Sequence, residues 1–99
     1  MNSKRRAAIR KATEDFRSKL DALVYEYAEK INDMACEERE AFDNLSENLQ
    51  CSERGEKMEE CADNLDYAYE TMTNNDYFGD ILEALGMSDV LDSCEIELD

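Results

Sequence analysis

The side chains best placed to do chemistry are carboxylates. Glu59, Glu60, Asp63, Asp66 and Glu70 recur at helical spacing beside Tyr67, and Asp76 and Asp80 follow shortly after. Carboxylate pairs act as general acid and base when their environments push their proton affinities apart. Carboxylates repeated along one polar helix face stay solvated instead, and the chain has no histidine to move protons. It also lacks a G-x-x-x-x-G-K-[ST] phosphate loop and any nucleophile–histidine pair. The expectation is a protein with no catalytic residues and no cofactor, which is not an enzyme.

Metal chemistry fares no better. Asp63, Asp66, Asp76 and Asp80 have the right atoms for calcium, but no twelve-residue loop of the D-x-D-x-D-G type holds them. Cys36, Cys51, Cys61 and Cys94 never fall at C-x-x-C spacing, the usual signature of structural zinc. No metal site is expected. The basic N-terminus lacks the apolar stretch of a secretory signal, so the expected compartment is the cytoplasm, where thiols stay reduced. Cys61 falls on an apolar stripe and is expected in the core; whether any cysteines pair is left open by the spacing.

A row of carboxylates can imitate the charges of a nucleic-acid backbone. Such a face attracts proteins with basic grooves, and apolar contacts at its rim add specificity. The eight residues Glu59, Glu60, Asp63, Asp66, Tyr67, Glu70, Asp76 and Asp80 are therefore the candidate partner-binding face. The plainer reading is an ordinary solvated surface.

Composition supports a binder. The 99 residues carry 26 acids and 11 bases, a net −15. Self-repulsion on this scale favours solubility and disfavours contact with nucleic acid or anionic membranes. No apolar run approaches the roughly 20 residues of a membrane span. The charge is uneven: Lys4, Arg5, Arg6, Arg10 and Lys11 form an acid-free head, and beyond Lys57 there are 13 acids and no base. The head is expected to neutralise the protein's own acidic half; a weaker alternative is contact with DNA.

The elements that must position the candidate face follow from periodicity. With no proline and three glycines, the chain favours long helices. Ile9, Phe16, Leu20, Leu23, Tyr27, Ile31, Met34, Ala41 and Leu45, widened by Val24 and Phe42, mark one face of a helix over about 3–45. That helix would be roughly 60 Å long, with a basic start that opposes its dipole. A loop at 46–52 follows, with Ser52, or alternatively Ser46, as the cap of the next helix.

Met58, Cys61, Leu65, Ala68 and Met72 make a 3-4-3-4 seam over about 53–73. A helix over about 76–85 is predicted with Asp76 as cap and Gly86 at the C′ position. Residues 88–99 end in a short turn and a tail whose alternation also suits a strand. The fold class predicted is all-α, a single domain over 1–99 with a long N-terminal helix and antiparallel return helices. The second helix covers only residues near 25–45 of the first. The stripe from Ile9 to Val24 then needs cover from residues 76–94, as a three-helix monomer, or from a second chain, as a homodimer.

The segments Ala41-Phe42-Asp43-Asn44-Leu45-Ser46-Glu47-Asn48-Leu49-Gln50, Ser52-Glu53-Arg54-Gly55-Glu56-Lys57-Met58-Glu59-Glu60 and Asp63-Asn64-Leu65 resemble a pattern of small acidic helical proteins of phages and mobile elements in Gram-positive bacteria. The resemblance spans about residues 37–72 and implies a helix–loop–helix joint. Where members commonly place a proline this chain has Ser46, so its turn is less rigid. In size and charge the chain is similar to anti-CRISPR proteins and other DNA mimics. That resemblance implies an inhibitor in the host bacterial cytoplasm that docks an acidic helical face into a basic nucleic-acid-binding groove, such as that of a CRISPR effector. The alternative function is a homodimeric assembly module whose charge serves solubility.

Overall fold

In a computed structural model, which describes residues 2–98, the chain is all-α with a long first helix and antiparallel return helices. The elements are α1 (Ser3–Asp43), α2 (Glu47–Gln50), α3 (Glu53–Asn74), α4 (Phe78–Ala84) and α5 (Met87–Ser93). The chain divides into two compact units. One comprises Met1–Leu23 with Asp76–Asp99, and the other Val24–Asn75. They are called here the terminal unit and the hairpin unit.

Local chemistry sets the helix ends. Asn2 Oδ1 accepts from Arg5 N at 2.8 Å, which supplies a neutral cap where the basic first turn of α1 opposes the dipole. Both candidate serines cap helices. Ser46 Oγ accepts from Leu49 N to start α2, and Ser52 Oγ accepts from Gly55 N to start α3, with Glu53 and Glu56 in the favourable first turn. The joint is tightened by Gln50 Nε2, which donates to Phe42 O at 3.1 Å. Gly55 is buried there, and a Cβ on it would overlap the carbonyl oxygens of Leu49 and Gln50.

In the hairpin unit the helices meet through small residues. Ala28, Ala35 and Ala62 are essentially inaccessible, and Val24, Ile31, Phe42, Met58, Leu65 and Tyr69 are half-buried around them. This corrects two expectations. The buried face of α1 is turned one residue from the predicted stripe, so Tyr27, Met34 and Ala41 are exposed. Cys61, expected in the core, is exposed because its neighbour Ala62 takes the contact. Alanine's short side chain lets two backbones approach closely, and one residue's shift rotates a helix face by about 100°.

In the terminal unit Phe78, Leu82, Leu91, Cys94 and Ile96 form a core, with Ile9, Phe16, Leu20, Met87 and Leu98 packed against it. Residues after Asp76 thus cover the early α1 stripe at Ile9, Phe16 and Leu20, while Leu23 stays exposed. Gly86 adopts φ 79° just past the end of α4, and its N–H donates to Glu83 O at 3.0 Å. The end of the chain is anchored: Ile96 N donates to Leu91 O at 2.9 Å, Ile96 is buried and Leu98 is half-buried. The apolar–acidic alternation serves to bury Ile96 and Leu98 while Glu95 and Glu97 stay exposed, and no strand forms among the described residues.

Candidate functional site

The fold redistributes charge. The basic head and the acidic end of the chain share the terminal unit, whose 7 bases and 11 acids give −4. The hairpin unit holds 4 bases and 15 acids, a net −11. Head and tail share a unit. Among the described residues no ion pair within 4 Å involves Lys4, Arg5, Arg6, Arg10 or Lys11; the terminal unit's cross-chain pair is Arg17–Asp76 at 3.4 Å. The terminal unit thereby carries far less net charge than the hairpin unit.

Six of the eight candidate residues lie on α3. Glu59, Asp63, Asp66 and Glu70 step along one flank, with Glu60 and Tyr67 beside them towards solvent. Arg39 of α1 identifies that flank. Its Nη2 donates to Asp66 Oδ2 at 2.6 Å and to Asp63 Oδ1 at 3.0 Å. At 100° per residue, the same side of α1 carries Glu29, Glu40 and Asp43. Arg39 is the single base on a flank of eight acids that also includes Glu56. The hydrogen bonds it donates to Asp63 and then to Asp66 raise its pKa above the ordinary guanidinium value, so it stays cationic.

Arg39 changes what the candidates can do. Asp63 and Asp66 fasten α3 to α1, while Glu59, Glu60 and Glu70 are exposed and meet no cation within ion-pair distance among the described residues. Tyr67 is 71% exposed, and Tyr25 of α1, on the same flank, is 64% exposed. A shallow depression of about 390 Å³ is lined by Glu56, Glu59, Glu60, Asp63 and Asn64. It is an open, carboxylate-lined dish, suited to a protruding cationic side chain and offering no enclosure for a reacting small molecule.

Asp76 and Asp80 belong to the terminal unit. Asp76 Oδ1 accepts from Phe78 N at 3.0 Å and Oδ2 faces Arg17, whose guanidinium also stands 5.1 Å from the centre of the Phe78 ring. Asp76 orders the entry to α4. It forms this turn from just outside the helix, whose N-cap position is Tyr77. Asp80 is exposed in the first turn of α4. Sequence reasoning missed Arg39, Tyr25 and Glu56. Glu56 lies one turn before Glu60 and was legible, whereas nothing local pairs Arg39 with residues 24 and 27 positions later.

Among the described residues no disulfide links the four cysteines, of which Cys36, Cys51 and Cys61 are exposed and Cys94 is buried. Among the described residues no helix is long and apolar enough to cross a membrane.

Fold and face together define an all-α protein built on a helical hairpin with one strongly acidic flank. No family model, curated protein or solved structure matches the chain.

Proposed function

We propose that this protein is a non-enzymatic inhibitor that docks the acidic flank of its hairpin onto a basic nucleic-acid-binding groove of another protein. One observation carries the reading. The −11 of the hairpin unit includes a flank of eight carboxylates facing a single base, with Tyr25 and Tyr67 exposed beside them. Helices held by Arg39 fix the spacing of those charges, so the flank meets a partner with little ordering cost. Complementary charge speeds encounter, and the tyrosines supply apolar contact area at the rim. Glu59, Glu60, Glu70 and Tyr67 are the contact residues, Asp63 and Asp66 contribute field while holding the fold, and Asp76 and Asp80 belong to a separate patch.

The reading extends to the setting. The joint around Asn44–Gly55 resembles small acidic proteins of phages and mobile elements, and the size and charge are similar to those of DNA-mimic and anti-CRISPR proteins. A host-defence effector that holds nucleic acid in a basic channel, such as a CRISPR effector, is the proposed target, met in the bacterial cytoplasm. Affinity capture from bacterial lysate at low and moderate salt tests it. Nucleic-acid-binding proteins should be retained at low salt, released by salt and displaced by added DNA. Retention of none, or retention indifferent to both, overturns the reading.

A further inference from the structure

The opposite flank of the hairpin has the reverse character. Tyr27 and Met34 of α1 are 58% and 51% exposed and lie on the side away from Arg39. Cys61 and Leu65 of α3 fall on that same side, since Asp63 and Asp66 define the other. A shallow, largely apolar depression of about 380 Å³ runs along Lys57, Glu60, Cys61, Asn64 and Leu65. Large apolar side chains left open on a highly charged protein mark an interaction surface.

The rim indicates the occupant. Three of the hairpin unit's four bases, Lys30, Arg54 and Lys57, border this flank together with Glu38 and with Glu60, which lies on the edge shared with the acidic flank. We infer that this flank is where a second copy of the chain docks, face to face about a two-fold axis. A two-fold contact places each patch against itself, so it needs a rim that carries both signs, and this rim does. The arrangement also turns the two acidic flanks outward, away from each other. Two copies approaching through those flanks would meet carboxylate against carboxylate. A basic partner, by contrast, is drawn to the acidic flank, so the inference does not rest on the proposed function.

Sedimentation equilibrium of the full chain from micromolar to millimolar concentration is the test. A monomer–dimer equilibrium is expected that tightens with added salt, because screening relieves the repulsion of two chains of −15 each. This salt response is opposite in sign to that of a basic partner, so the two readings fail separately. Met34→Glu should weaken association at least tenfold while leaving the helical circular dichroism unchanged, with Tyr27→Glu as the second variant. Glu70→Gln, on the acidic flank, should leave association intact. With Cys36 and Cys51 replaced by serine, a short bis-maleimide should join two wild-type faces through Cys61, and Met34→Glu should suppress the product. A chain monomeric throughout this range, or a dimer unaffected by both Met34→Glu and Tyr27→Glu, overturns the inference.

Discussion

Arg39 Nη2 lies 2.6 Å from Asp66 Oδ2 and 3.0 Å from Asp63 Oδ1, so one guanidinium ties the two helices of the hairpin together and sits alone on its acidic flank. It sets the spacing of the surrounding carboxylates and removes part of their charge. Arg39→Met should therefore lower the melting temperature and deepen the negative potential of the flank. The loss should shrink with salt, since the three side chains are 42–63% exposed. A double-mutant cycle with Asp66→Asn measures the coupling. The sign of the pH dependence follows from the raised pKa of Arg39. The contribution of its charge is fully present below the ordinary guanidinium pKa and is lost only above the still higher folded value. Alkaline conditions short of that leave the pair intact.

Gly55 has no room for a side chain. Its Cβ position is occupied by the carbonyls of Leu49 and Gln50, which are backbone and yield little. Gly55→Ala should cost about 1–3 kcal/mol by overpacking the joint, measured by urea unfolding.

Gly79 and Gly86 should respond in opposite directions. Gly86 sits at φ 79° with open space around it, so Gly86→Ala is a backbone penalty of about 1–2 kcal/mol. Gly79 is helical, with nothing within 4 Å of a Cβ, so Gly79→Ala should stabilise by about 0.5–1 kcal/mol. Paired thermal melts separate the two.

Phe78 anchors the terminal unit. It is buried, meets the Phe16 ring at 6.2 Å between centroids and carries Arg17 over its face. Phe78→Ala should cost about 3–5 kcal/mol and raise hydrogen exchange in α4 and α5. Unchanged protection there would show that the core does not depend on this ring.

Much of this fold is legible in the sequence where the signal is local. Ser52 with Glu53 and Glu56 writes the start of α3, and Gly86 writes the end of α4. The rotation of α1 was not legible, because hydropathy ranks Leu23, Tyr27 and Met34 above Ala28 and Ala35. Close backbone approach prefers alanine, and only the facing Ala62 reveals that choice. The same competition displaced Cys61 from the core. For the site, the 3–4 spacing of Glu59, Asp63, Asp66 and Glu70 showed one flank of one helix. The partner helix's share of it, Arg39 and Tyr25, depends on how the chain folds back. The charge polarity read along the chain also changed in space, because the basic head joins the acidic tail in the terminal unit and leaves the hairpin as the most negative body.

The most direct test of the acidic flank compares two variants of equal net charge. Glu59→Gln, Glu60→Gln and Glu70→Gln together remove three charges from the hairpin. Glu83→Gln, Asp89→Asn and Asp92→Asn together remove three from the terminal unit. Each leaves the chain at −12 from its starting −15. Both are used to capture nucleic-acid-binding proteins from lysate at low salt, with competitor DNA as the eluant. The expected result is that the hairpin variant loses the DNA-displaceable partner while the terminal-unit variant keeps it. Equal loss by both, or loss by neither, would contradict a docking face on the hairpin.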